Sequence, residues 1–231
     1  MLSALGFLTV VPGTHRPDER TLRWFPVVGA LLGAILAAVW IGASAVFSPA
    51  VAAILVIAAD LVLTGMLHVD GLADSADGLL PHLERERRLE VMRTPDVGAF
   101  ALAIVPVVML ARWVALAGDL IDPEALIAVW AASRTSMAVI PVLVPYARPA
   151  GLASPFLAGA RHWHALWLVP VGVLLVICHQ TTGLIALAVG IASVVMVVVS
   201  ARRRLGGFTG DVLGAAAVIM ETAMLLVLTA R

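Results

Sequence analysis

Three aspartates fall at i, i+4 and i+7 in the run Asp70-Gly71-Leu72-Ala73-Asp74-Ser75-Ala76-Asp77. On an α-helix Asp70, Asp74 and Asp77 would project within an arc of about 60°. Carboxylates held that close repel one another, and ionised together they require a cation. Mg²⁺ is the hard-ligand choice. Gly71 and Gly78, with the small residues Ala73, Ser75 and Ala76, let a bulky ligand approach the backbone. The plainer alternative is a solvent-facing acidic turn with Asp70 as a helix cap. The run begins just after His68 and borders an apolar segment, where such groups are costly and tend to be functional.

A second constellation is Arg202-Arg203-Arg204-Leu205-Gly206-Gly207-Phe208-Thr209-Gly210-Asp211. Its glycines permit tight turns, and arginine forks suit phosphate oxygens. Asp211 then opens an apolar run, where an acid complements a helix N-terminus. For the arginines alone, a membrane anchor is an equal reading. Acids that hold a metal, placed beside arginines, describe a site for a diphosphate and its transfer.

A third set lies inside apolar runs: Asp60, Arg112, Arg134 and Glu221. Asp60 and Glu221 read as helix–helix partners, and Arg112 as a snorkelling side chain. Arg134 is either a structural ion pair or a ligand. His15, His82, His162, His164 and His179 show no metal spacing, and Tyr146 and Arg148 read as interfacial anchors.

The elements that must position these groups are apolar helices. The chain is 61% hydrophobic and 13% charged, against about 25% charged for a soluble domain, so lipid must be part of its solvent. A helix needs roughly 20 apolar residues to cross a bilayer. Seven segments approach that: 25–47, 51–67, 99–117, 125–144, 165–178, 184–200 and 212–229, the fifth the shortest. The fold class is all-α, a polytopic membrane protein of about seven transmembrane helices, and residues 1–231 read as a single membrane-embedded catalytic domain. The connections alternate. The longer ones carry Arg16, Arg20 and Arg23, then Arg85, Arg87, Arg88 and Arg93, then Arg148 and Arg161, then Arg202, Arg203 and Arg204. With seven spans all fall on one side, the cytoplasmic one by the positive-inside rule, and only Arg231 falls opposite. The stretch 84–90 pairs Glu84 with Arg88 at i,i+4 and reads as a solvated helix. The single Cys178 excludes an intrachain disulfide. Fifteen acids balance fifteen bases, so net charge points to no partner, and no nucleic acid is expected.

The sequence also resembles a known family. Leu63-Thr64-Gly65-Met66-Leu67-His68-Val69-Asp70 and the acidic run to Gly78 resemble the signature of the cobalamin synthase family, the adenosylcobinamide-GDP ribazoletransferases. So do Arg88-Leu89-Glu90-Val91-Met92-Arg93-Thr94-Pro95-Asp96-Val97-Gly98, Phe25-Pro26-Val27-Val28-Gly29, Pro145-Tyr146-Ala147-Arg148 and Gly206-Gly207-Phe208-Thr209-Gly210-Asp211. The matches are in order and run nearly end to end. Departures are small: an apolar N-terminus, and Thr94-Pro95 in place of a more polar pair.

The resemblance implies an Mg²⁺-dependent membrane enzyme that joins adenosylcobinamide-GDP to α-ribazole, or its 5′-phosphate, and releases GMP. Asp70, Asp74 and Asp77 would hold Mg²⁺ against the diphosphate, with Asp96 completing that shell or acting as base. Arg93 and some of Arg202, Arg203 and Arg204 would neutralise phosphate oxygens. His68, Gly206, Gly207, Thr209 and Asp211 join the substrate-binding set. The site would face the cytoplasm from a bacterial inner membrane, in contact with lipid, and a homo-oligomer is compatible with it. Two rivals are a CDP-alcohol phosphotransferase and a non-enzymatic transporter. The first lacks its Ala-Arg pair, Pro81-His82 standing there, and its later Gly-x3-Asp-x3-Asp portion. The second would bind near the midplane.

Overall fold

Proline opens several helices, because its fixed φ suits a first helical turn whose N–H groups lack partners in any case. The computed structural model describes residues 1–11, 17–118, 122–149, 151 and 153–230. His15, Arg16 and Arg231 lie outside them. A short helix α1 (Leu2–Leu8) and a 3₁₀ turn (Leu22–Trp24) precede α2 (Phe25–Ser44). Next come α3 (Pro49–Thr64), α4 (Leu67–Leu79), α5 (Arg85–Val91), α6 (Ala99–Ala117) and α7 (Pro123–Leu143). Two 3₁₀ segments, Ser154–Gly159 and His162–Trp167, lead to α8 (Leu168–Leu205) and α9 (Gly210–Leu228). Among the described residues the one extended pairing is an isolated parallel bridge between Tyr146 and Phe208.

Five helical stretches are long and apolar enough to cross a membrane: Leu22–Ser44, Ala99–Ala117, Pro123–Leu143, His162–Leu205 and Gly210–Leu228. A sixth is broken. α3 and α4 pass the same test only together, across an 89° bend. Gly65 and Met66 make that bend with φ of 57° and 60°. Glycine adopts this left-handed region freely, whereas a side chain there costs about 1–2 kcal/mol. The expected span 51–67 therefore ends early, and the aspartates ride a separate helix.

The longest stretch doubles back. Gln180 has φ 51° and ψ −129° inside α8. A Cβ on Gly172 would lie 3.5 Å from Leu187 Cδ2, residues that a straight helix would hold about 22 Å apart. Gly183 likewise abuts the backbone of Leu175. α8 is thus two antiparallel arms, and the tip residue His179 reaches within 3.8 Å of Asp122 at the start of α7. With the α3–α4 pair and each arm counted once, the described residues hold seven apolar helical stretches, and the short fifth segment of the sequence is the first arm.

Close helix approaches help hold the bundle. In lipid the drive to associate is packing, so small residues favour contact. Gly29 and Gly33 sit one turn apart on α2, against the carbonyls of Trp130 and Leu126 on α7. A Cβ on Gly33 would also lie 2.6 Å from Ile127 Cα. Gly33→Leu is expected to lever α2 off α7 at a cost of about 1–3 kcal/mol, read as a lower unfolding midpoint in detergent; an unchanged midpoint would show that this contact is not tight.

Candidate active site

Two glycine contacts place α4 at the head of α9. A Cβ on Gly71 would lie 2.7 Å from the Asp211 carbonyl oxygen, and one on Gly214 would lie 3.1 Å from His68 Cα. The apolar side of α4 is fixed by Leu72, which packs with Val108, Ala215 and Val218. With that side turned inward, the helical spacing read from the sequence puts the carboxylates on the other. Asp70 is exposed, Asp74 half-buried and Asp77 buried.

The three line a cleft of about 340 Å³ with Met92, Arg93, Asp96 and Val97, from the loop that joins α5 to α6. A larger groove between α3 and α6, lined by Ile54, Leu61, Met109 and Trp113 among others, is wholly apolar and offers no chemistry. Asp74 lies in the combined field of Asp211, Asp70 and Asp77, opposed by Arg148. Such an arrangement favours a bound cation. Among the described residues no three His, Cys, Asp or Glu side chains could hold a bare metal ion between them. That does not disqualify Mg²⁺, which keeps several waters and is usually held by one or two carboxylates plus substrate phosphates. Asp70 and Asp74 fit that mode. Asp77 is otherwise engaged: its carboxylate accepts from the backbone N–H groups of Gly98 at 2.7 Å and of Phe100 and Ala101 at 3.1 Å.

The arginines divide differently from expectation. Arg204 donates to the carbonyls of Leu79 and Leu80, and Arg88 to those of Gly78 at 2.7 Å and Leu79 at 3.0 Å. Both cap the C-terminus of α4, where carbonyls lack helical partners and the dipole is negative. Burial, with Arg204 alongside, lowers the Arg88 guanidinium from the ordinary arginine range. Arg88 therefore does not pair with Glu84; on α5 it is Arg87 and Glu90 that meet, at 2.7 Å. Arg85 Nε donates to Leu205 O at 2.7 Å, which closes the end of α8. Arg202 and Arg203 are exposed and lie outside the lining of the cleft. Of the basic residues considered, Arg93 lines it.

The glycine-rich loop serves as a brace. Phe208 N donates to Pro145 O at 3.0 Å and Ala147 N to Phe208 O at 2.8 Å. Gly207 packs on the Pro145 carbonyl, and Gly206 turns the chain with φ 77°. Thr209 Oγ1 accepts from Val212 N at 3.3 Å and so caps α9. This strap delivers Arg148, which by sequence reads as an interfacial anchor. Arg148 meets Asp211 at 2.9 Å and donates to Met92 O at 3.1 Å. It ties the head of α9 to the loop that carries Arg93 and Asp96. Burial raises the phenol of its neighbour Tyr146, which stacks edge-on to Phe208. The position of Arg148 in a matched stretch was its one available signal. His68 is buried behind the cleft, and neither ring nitrogen has a partner among the described residues.

Behind the site, the intramembrane charges satisfy one another. Arg112 contacts Asp60 at 3.1 Å and also Glu221, and Glu221 contacts Arg134. Trp130 Nε1 donates to Asp60 at 2.9 Å. Arg112 is only 2% exposed, so it does not snorkel. Arg134 is the structural ion pair of the two alternatives.

The chain is similar throughout its length to proteins of one family. The family described as Cobalamin-5-phosphate synthase matches residues 1–229. A protein of Chlorobaculum tepidum named adenosylcobinamide-GDP ribazoletransferase is 37% identical over 98% of this chain and 93% of its own length. Proteins of the same name from Stutzerimonas stutzeri and Ralstonia nicotianae are 35% and 38% identical, each over 98% of this chain and over 96% and 93% of their own lengths. No solved structure matches.

Proposed function

The chain belongs to the cobalamin-5-phosphate synthase family, and from that premise we propose that it transfers the adenosylcobinamide phosphate group of adenosylcobinamide-GDP to α-ribazole or its 5′-phosphate. GMP is the other product. The observation that carries this reading is the cleft in which Asp70 and Asp74 face Arg93 and Asp96. It joins paired carboxylates to a phosphate-binding cation at one end of a membrane bundle.

Asp70 and Asp74 would hold Mg²⁺, which when bound neutralises diphosphate oxygens. Arg93, exposed on the rim, neutralises further phosphate charge. The ribazole hydroxyl attacks the phosphorus on the cobinamide side, a new P–O bond forms, and the bond to GMP breaks. Asp96, on the same loop as Arg93, would take the hydroxyl proton or complete the metal shell. Positioning and charge neutralisation carry most phosphoryl transfers, and here the positioning falls to the braces of Arg148 and the Phe208 strap.

The basic segments at 78–93, 145–148 and 202–206 bond to one another at one end of the bundle, which supports a cytoplasmic orientation of the cleft by the positive-inside rule. A transporter would bind its cargo near the midplane, and the charges inside the apolar helices that could serve it, Asp60, Arg112, Arg134 and Glu221, are paired with one another. The test is GMP release from adenosylcobinamide-GDP by the purified protein, with and without α-ribazole, in Mg²⁺ and after chelation. Release that needs both α-ribazole and Mg²⁺ is expected. Absence of release with both present would overturn the reading.

A further inference from the structure

Asp77 belongs by spacing with Asp70 and Asp74, yet its surroundings are different. Gly98, the first residue before α6, has no side chain with which to cap that helix. The exposed N–H groups of its first turn are met instead by a carboxylate from another helix. Asp77 Oδ2 accepts from Gly98 N at 2.7 Å, and Oδ1 accepts from Phe100 N and Ala101 N at 3.1 Å each. A carboxylate offers about four acceptor sites, so three of them are spent, and its charge rests where the dipole of α6 favours it. The fit is close: a Cβ on Gly98 would lie 2.5 Å from Asp77 Oδ1. One residue along, Gly78 packs on the side chain of Met92, where a Cβ would lie 2.6 Å from the sulfur. Both ends of the loop 92–98 are thus fastened to the same turn of α4, and the exposed residues between them include Arg93 and Asp96.

We infer that Asp77 is a positioning residue, a latch that fastens the Arg93–Asp96 loop to the aspartate helix, and that the metal is left to Asp70 and Asp74. Its effect on turnover rests on the reaction proposed above. The latch itself does not, because amide exchange reads it without substrate.

Hydrogen–deuterium exchange and steady-state kinetics on the full-length protein in detergent test this. In Asp77→Asn one oxygen becomes an N–H donor that faces N–H donors. The amides of Gly98, Phe100 and Ala101 are expected to exchange at least ~10-fold faster. The kcat for GMP release should fall ~100-fold, while the Mg²⁺ concentration for half-maximal rate stays within about twofold of the parent, given that no ligand is lost. Gly98→Ala, which pushes the carboxylate away from the opposite side, should reproduce all three effects. The double variant should be no worse than either single one, as expected for two halves of one contact. If Asp77→Asn does not fold, Gly98→Ala carries the same readings. Unchanged amide protection, or an Mg²⁺ requirement that rises with that of Asp74→Asn, would overturn the latch. Should GMP release fail altogether, the exchange result still decides it.

Discussion

Asp74→Asn is expected to lower the kcat for GMP release by about three orders of magnitude without loosening the fold. Loss of one well-placed electrostatic group at a reacting centre costs about 10²–10³ in rate, and here the group is one of two carboxylates proposed for a metal. Its neighbours set the sign of the stability effect. Asp74 is half-buried among the like charges of Asp211, Asp70 and Asp77, with Arg148 the one charge opposing them. Asparagine keeps the shape and removes that repulsion, so the unfolding midpoint without Mg²⁺ should match or exceed that of the parent. The Mg²⁺ requirement should move the other way, with a higher concentration needed for half-maximal rate. Near-normal turnover together with normal Mg²⁺ dependence would remove Asp74 from the metal site.

How far this site was legible depended on which physics the sequence displays. The 100° periodicity of a helix is written directly in residue spacing, so Asp70, Asp74 and Asp77 could be placed on one face. Spacing does not say what the face meets. Asp77 is turned from a ligand into a cap by a glycine 21 positions further along, a contact with no local signature. The arginines misled for a related reason. A guanidinium that would bind phosphate oxygens binds helix-terminal carbonyls equally well, and which of the two Arg204 finds is decided by the end of α4, 125 positions away. Arg148 was undervalued because an arginine after an apolar span is ordinary. Only the strap between Pro145 and Phe208 brings it to Asp211.

The fold was read more fully, because hydropathy is a sum over many residues whereas a contact depends on one. The seven apolar segments reappear as helical stretches, and the break expected between the fifth and sixth is the reversal at Gln180. That reversal has no proline or glycine at its apex, but it falls in the polar run His179-Gln180-Thr181-Thr182 between the two expected segments. The bend at Gly65 and Met66 had a signal, the glycine, yet the apolar pattern ran on past it to Leu67.

The cost of a buried charge gives the second large effect. Arg112→Met is expected to destabilise the protein by about 3–5 kcal/mol, the range for breaking a buried ion pair from one side. Arg112 is the hub of its cluster. It donates to Thr222 Oγ1 at 3.0 Å, Asp60 Oδ2 at 3.1 Å, Val218 O at 3.2 Å and Glu221. It also lies 5.7 Å from the ring centroid of Trp130. These contacts join α3, α6, α7 and α9. The cluster of Asp60, Glu221, Arg112 and Arg134 is neutral, so methionine would leave one negative charge uncompensated where lipid, not water, is near. The remedy follows from the same arithmetic. Asp60→Asn added to Arg112→Met restores neutrality and leaves Glu221 paired with Arg134, so the double variant should recover much of the loss. Unfolding midpoints of the parent, both single variants and the double variant measure that coupling. A double variant no more stable than Arg112→Met alone would mean that packing at Arg112, rather than charge balance, holds these helices together.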